Sequence, residues 1–205
     1  MAQTLVCIGW RLPALPLINL GMEIRALSSA DTEAFRAIRR ESLENAPRAF
    51  AESLAEHDSL SPQQFAKRLA SSFSNDNFII GAFRGNEAFR SGNDPDPTPL
   101  LAGVAGFVRN PRPKLRHKGL IWGVYVRPAF RGTGVAREIL AEVIRRTKTL
   151  DGLEQINLNV ATGTAARRLY ESLGFEVYGH ERNSLRVDRE FVDEDLMVLF
   201  LKKGD

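Results

Sequence analysis

Two short stretches of this 205-residue chain combine residue types and spacings that could do chemistry. The first is Arg131-Gly132-Thr133-Gly134-Val135-Ala136, set between an apolar run that ends at Val126 and a helical pattern that starts at Val135. Gly132 and Gly134 open backbone conformations closed to other residues and leave the main chain bare. At a helix start, N–H groups without intrahelical partners and the positive end of the helix dipole form an anion site. Each charge-assisted N–H bond to a phosphate oxygen is worth roughly 1.5–3 kcal/mol, so several of them hold a diphosphate without a metal. Gly-x-Gly alone is weak evidence, since a turn that merely reverses the chain has it too; the strand-turn-helix setting is what favours an anion. No Gly-Lys-Ser/Thr follows, and the third glycine of the dinucleotide fingerprint is missing, which excludes the two common nucleotide loops.

The second stretch is Ala166-Arg167-Arg168-Leu169-Tyr170-Glu171-Ser172-Leu173-Gly174-Phe175. A short helix here puts Ala166, Leu169 and Leu173 on one apolar face with Tyr170 beside it. Gly174 stands where a left-handed residue closes a helix, with apolar Phe175 after it. By itself Tyr170 reads as a half-buried packing residue with its hydroxyl at the rim.

Taken together, Arg-x-x-Gly-x-Ala after a strand and a later Ala-x-x-Leu-Tyr-x-x-x-Gly-Phe resemble the GNAT superfamily of acyl-CoA-dependent N-acetyltransferases. Arg131, Gly134 and Ala136 match its diphosphate loop; Ala166, Leu169, Tyr170, Gly174 and Phe175 match its later motif. The resemblance implies an α/β (α+β) fold, a mixed and mostly antiparallel central sheet flanked by helices. It implies acetyl-CoA as cosubstrate and no metal. It also implies cofactor contacts from the strand residues Val124, Tyr125 and Val126 along the pantetheine arm, and from Arg131, Gly132, Thr133, Gly134, Val135 and Ala136 at the diphosphate. Tyr170 is then the acid that protonates the departing thiolate. One departure is Gly163, where the family often has Asn; Asn159 or Thr164 would have to compensate.

Gly123 adds an observation of its own. Glycine inside a strand marks a bulge or a close backbone approach; the resemblance implies that such a bulge splays this strand from the next and that its N–H polarises the thioester carbonyl. The alternative is packing relief beside Trp122. The base is open. A lysine amine, pKa ~10.4, costs ~4.6 kcal/mol to deprotonate at pH 7, whereas an α-amino group near ~7.7 costs little, so the need for a base depends on the acceptor. Leu120 to Val126 contains no carboxylate. Glu41, Glu44, Glu52 and Glu56, or Asp193 and Glu194 ahead of the last strand, are the candidates, each also readable as a solvated charge.

The elements that must position these residues follow from periodicity. Strands are expected at Met22 to Leu27, Asn77 to Arg84, Leu100 to Val108, Leu120 to Val126, Gln155 to Val160, Phe175 to Tyr178 and Leu196 to Leu201. A helix after Asp31-Thr32 stops before Pro47, and Ser61-Pro62-Gln63-Gln64 starts a second one. Val135, Ile139, Leu140, Val143 and Ile144 mark the helix after the glycine bend. The order is β-α-α-β-β-β-α-β-α-β-β, read as one domain over residues 22–205, with a hairpin-type loop at Ser91 to Pro99 and a peripheral, poorly ordered extension at residues 1–21.

With 43% apolar and 26% charged residues the chain reads as globular, and a net charge of +3 with interleaved signs argues against nucleic acid. The first apolar runs are broken by Arg11, Pro13 and Pro16, which argues against a signal peptide or a bilayer span. A single cysteine, Cys7, points to the cytoplasm, and the three scattered histidines do not suggest a structural metal. The leading reading is transfer of acetyl from acetyl-CoA to a primary amine, small-molecule or protein, by direct attack in a ternary complex, with a homodimer as one oligomeric option. An acyl-CoA-binding sensor without turnover and a purely structural interaction domain are the alternatives.

Overall fold

A computed structural model describes residues 21–85 and 99–201. The expected loop at Ser91 to Pro99 falls outside these residues except at Pro99, and the expected extension except at Gly21. The elements are β1 (Met22–Ala26), α1 (Thr32–Asn45), α2 (Leu54–Asp58), α3 (Pro62–Ala70), β2 (Asn77–Arg84), β3 (Leu100–Arg109), β4 (Lys118–Val126), α4 (Val135–Thr147), β5 (Gln155–Ala161), α5 (Ala165–Ser172), β6 (Glu176–Val187) and β7 (Glu190–Phe200). The strands form a seven-stranded sheet in the order β1-β2-β3-β4-β5-β7-β6. All neighbours are antiparallel except β4 and β5.

Helices cover both faces, so the central strands are buried on both sides and read as near-continuous apolar runs. On one face Phe35 and Ile38 of α1 and Phe65 and Leu69 of α3 pack on Ile79, Val104 and Tyr125. On the other, Ile139, Leu140 and Val143 of α4 and Tyr170 of α5 pack on Ile80, Phe107, Ile121 and Leu158. α1 starts at Thr32, and α3 starts where its cap predicts: Ser61 Oγ accepts from the Gln64 N–H and Gln64 Oε1 accepts from the Ser61 N–H. α2 was not foreseen, though Ser53 and Glu56 form the same reciprocal box.

Three expectations need correction. The last two strands are far longer than the apolar patches at Phe175 to Tyr178 and Leu196 to Leu201, because β6 and β7 form a hairpin whose outer strand is an edge. An edge strand needs no apolar alternation, and the charged stretch from His180 to Asp195 hides it. Asp193 and Glu194 therefore lie within β7 rather than ahead of it. Ala166 is exposed, and Tyr170, not an Ala166–Leu169–Leu173 stripe, is the buried anchor of α5.

Candidate functional site

The site begins where β4 leaves β5. The two strands pair only from Lys118 to Leu120 against Gln155 to Asn157, and beyond that the parallel ladder stops. The cause lies one strand over. Between Val104–Tyr125 and Gly106–Trp122 the β3 register advances two residues while β4 advances three, so β4 carries a bulge at Gly123 and Val124. A bulge bends its strand and sharpens its twist, which here turns β4 away from β5. Gly123 sits at φ +64°, in the left-handed region that side chains avoid.

Packing relief is not what Gly123 supplies. A Cβ there would meet nothing closer than Arg39 Nη1 at 3.8 Å, an ordinary contact. The relief beside Trp122 comes from Gly106, where a Cβ would come within 2.3 Å of the indole. Trp122 thus lies flat on bare β3 backbone, while Gly123 serves the bulge.

Downstream, the Arg127 N–H bonds into the sheet at the Ala102 carbonyl, 2.9 Å. The Val126 carbonyl belongs to the same planar peptide unit and so points the other way, to the open edge. Arg131 Nε already donates to it at 3.0 Å. The Arg131 guanidinium also lies 5.5 Å from the centre of the Tyr125 ring. The Tyr125 side chain itself turns to the α1 face, donating from Oη to Glu41 Oε1 at 3.1 Å.

The glycine bend leads straight into α4. Gly132 and Gly134 have φ +75° and +91°, so both need glycine. The first backbone bond of the helix is from the Glu138 N–H to the Gly134 carbonyl, 3.1 Å. The N–H groups of Val135, Ala136 and Arg137 therefore have no intrahelical acceptor. Thr133 turns its hydroxyl back to the Phe130 carbonyl at 2.7 Å, away from a ligand role. A Cβ at Gly132 would meet nothing within 4 Å, so the bend is open to an approaching group. These features fit the diphosphate of a coenzyme: bare N–H donors at a helix start, an arginine beside them, and no crowding side chain.

Tyr170, on α5, is 6% exposed and packs edge-on against Phe175, ring centres 5.9 Å apart. Its hydroxyl makes no hydrogen bond to any described residue, yet it is not an enclosed atom either. Burial pushes the phenol above its ordinary value, so it stays protonated across the physiological range. Arg137 of α4 reaches across to Ser172 of α5, Nη2 to Oγ 2.6 Å, and so ties together the helices that carry the bend and Tyr170.

Asn159 lies on β5 beyond the last residue paired with β4. Ile156, Leu158 and Val160 face the α4–α5 side, so strand alternation puts Asn159 on the opposite face from Tyr170. Gly163 is an exposed turn residue at φ +76°, and Thr164 caps α5 by accepting from the Arg167 N–H at 3.4 Å. Thr164, not Asn159, is thus spent on the start of this helix.

Each carboxylate considered as a base is engaged. Glu41 is shared by Tyr125 and Arg127, the latter 2.5 Å from Oε2. Glu44 pairs with Arg40 at 3.4 Å on the surface. Glu56 closes the α2 cap, and the Ser53 backbone and hydroxyl bonds hold it below its ordinary pKa. Burial alone would raise the Glu52 carboxyl, but the hydrogen bonds and charges of Arg39 and Arg68 outweigh it and leave it lowered. Asp193 accepts from the Asn183 N–H at 2.8 Å and lies 3.5 Å from His180 Nε2. Glu194 is 8% exposed and accepts from Ser184 Oγ at 2.6 Å.

Among the described residues no group of three or more His, Cys, Asp or Glu is placed to hold a metal ion, and no helix is long and apolar enough to cross a membrane. The residue that sequence reasoning missed is Arg39. On the exposed-looking charged stretch of α1 it reads as a solvated cation, yet its side chain is only 11% exposed and stands beside Gly123.

The fold is similar to that of several solved structures. A GNAT-family acetyltransferase from Streptococcus pneumoniae superposes with a TM-score of 0.73 at 21% identity, over 88% of this chain and 99% of that one. A phosphinothricin acetyltransferase from Sinorhizobium meliloti, solved with AcCoA, gives 0.72 at 22% identity, over 89% and 90%. A spermidine N-acetyltransferase from Vibrio cholerae, solved with CoA and spermine, gives 0.68 at 18% identity, over 89% and 96%. No curated protein matches the chain in sequence. The sequence model of the acetyltransferase (GNAT) family matches residues 36–175, the span that runs from α1 through the bulge and the glycine bend to Phe175, and the chain belongs to that family.

Proposed function

We propose that the protein transfers an acetyl group from acetyl-CoA to a primary amine by direct attack in a ternary complex. The observation that carries this reading is the parting of β4 from β5 at the Gly123 bulge, in line with a helix start whose N–H groups are bare. The coenzymes held by two structures of similar fold support the choice of acetyl-CoA. One of these two proteins is a phosphinothricin acetyltransferase and the other a spermidine N-acetyltransferase, so similarity of fold does not select the acceptor.

In this reading the bend from Arg131 to Ala136 holds the diphosphate, and the open edge of β4 at Val124 to Val126 takes the pantetheine as an added strand. Arg131 must then exchange its bond to the Val126 carbonyl for one to phosphate. The amine nitrogen attacks the thioester carbonyl; the bulge N–H stabilises the charge that develops on its oxygen. As the C–N bond forms and the C–S bond breaks, the sulfur leaves as a thiolate and takes the Tyr170 proton; the ammonium formed on nitrogen loses a proton to solvent, and the Tyr170 phenolate regains one from solvent, so the cycle closes. In this reading the protein works in the cytoplasm, which its single cysteine supports.

Thiol release from acetyl-CoA across a panel of amines tests it. Turnover with at least one amine is expected. Binding of acetyl-CoA without turnover on any amine means a sensor, and no binding at all means an interaction domain.

A further inference from the structure

A cavity of about 350 Å³ lies on the α1–α3 face of the sheet, against the same stretch of β4 that carries the bulge. Phe35, Phe65, Leu69 and Trp122 supply apolar walls, and Arg39, Glu52 and Arg68 supply charge. Its polar pattern is incomplete in a specific way. Arg39 Nε and Nη2 both bond to Glu52 Oε2, at 3.0 and 2.9 Å. Arg39 Nη1 is enclosed and has no acceptor. An enclosed donor without an acceptor is costly, and guanidinium forks match carboxylates in shape as well as charge.

Nη1 is also the atom nearest to Gly123, 3.8 Å from where a Cβ would stand. Arg68 bonds to Glu52 Oε1 at 2.7 Å from the rim, its side chain 62% exposed. Two guanidinium groups against one carboxylate leave the cavity with a net positive charge. At the other end Asn77, three β4 residues away in register from Gly123 (through Val108 and Leu120), also lines the cavity, and its Oδ1 is enclosed without a partner. The separation is about 10 Å along the strand.

We propose that this cavity seats the acceptor and that the acceptor is an α-amino acid with a bulky apolar side chain, its carboxylate on Arg39 Nη1 and its amine at the Gly123 bulge. The inference rests on the acetyltransferase reading and deepens it to a substrate class. With Nη1 this close to the bulge, an anion seated on it lies only a bond or two from an amine at the bulge, the spacing of an α-amino acid rather than of an ω-amine. The positive charge disfavours a polyamine. The apolar walls take the side chain, and 350 Å³ is at the small end of ligand pockets, the size for a single amino acid.

The test uses the full chain with acetyl-CoA and measures thiol release with L-phenylalanine, L-leucine, phenethylamine and spermine. Both amino acids should be acetylated, and phenethylamine, which lacks only the carboxylate, should have kcat/KM lower by roughly 10- to 100-fold. Arg39→Lys keeps the charge but not the fork and should bring the phenylalanine-to-phenethylamine ratio toward one; Arg68→Gln, at the exposed rim, should narrow it less. Phenethylamine or spermine used as well as L-phenylalanine overturns the inference and leaves acetyl transfer standing. If no amine is acetylated, acetyl transfer fails, and calorimetry decides the cavity separately. Binding of L-phenylalanine that phenethylamine does not show then supports the anion seat, and its absence overturns it.

Discussion

Replacing Tyr170 with Phe removes one oxygen and should separate catalysis from folding. The ring packs on Phe175 and the hydroxyl bonds to no described residue, so Phe keeps the packing and orphans nothing. The expected stability change is within ~0.5 kcal/mol, or about 2 °C in Tm for a chain of this size. The chemical effect is larger. A phenol near ~10 gives its proton to a thiolate near ~8.5 at a cost of ~2 kcal/mol. Burial raises the phenol, which adds to that cost and keeps the proton on Tyr170 until a thiolate takes it. A positioned acid of this kind contributes about 10²- to 10⁴-fold, or ~2.7–5.4 kcal/mol of barrier. The assay is saturating thiol release alongside calorimetric titration with CoA and thermal unfolding. Tyr170→Phe should lose at least ~100-fold in kcat with Kd and Tm unchanged. A kcat within threefold of the parent would remove Tyr170 from the reaction.

Other changes report on the scaffold. Gly123→Ala meets no clash but forces a side chain to φ +64°; thermal unfolding should show a loss of ~1–2 kcal/mol, and kcat should fall at least tenfold if the bulge aims the catalytic N–H. An unaltered Tm and kcat would mean that the bulge is dispensable. His57 is 1% exposed, both ring nitrogens lack partners, and burial lowers its pKa below 6.5. The unfolded chain then binds more protons than the native one, so stability should drop as pH falls below ~6.5 and level off once the native pKa is passed. Denaturant midpoints at pH 7.5 and 5.5 should show that drop, and His57→Leu should lessen it; equal drops in both proteins would contradict the assignment. For Asp31, the Arg25 hydrogen bond chiefly holds the carboxyl down to about 2, so its stabilisation is present above pH ~4 and lost as pH approaches 2. Asp31→Asn should lower the denaturant midpoint at pH 6 and have little effect near pH 2; a similar loss at both pH values would mean that the charge is not what stabilises.

What could be read from the sequence divides along physical lines. Gly123 was legible because glycine inside an apolar strand has few uses, and the bend at Gly132 and Gly134 because strand, glycines and helix follow one another within a dozen residues. The central strands were legible because burial on both faces leaves only apolar residues. The β6–β7 hairpin was not, since an exposed edge imposes no pattern on His180 to Asp195. The carboxylates were illegible for another reason. Whether Glu52 is free or held depends on Arg39 and Arg68, which lie 13 positions before it and 16 after it and meet it only in the folded chain. Arg39 itself looks like any solvated cation until its one enclosed, unpaired nitrogen is seen against Gly123.

A crystal structure with CoA tests the central claim most directly. The account predicts diphosphate oxygens at about 3 Å from the N–H groups of the bend between Gly132 and Arg137, with Arg131 released from the Val126 carbonyl. It also predicts pantetheine in the gap between β4 and β5, with its sulfur beside the Tyr170 hydroxyl. CoA bound away from the bend, or a sulfur remote from both Tyr170 and Gly123, would contradict it.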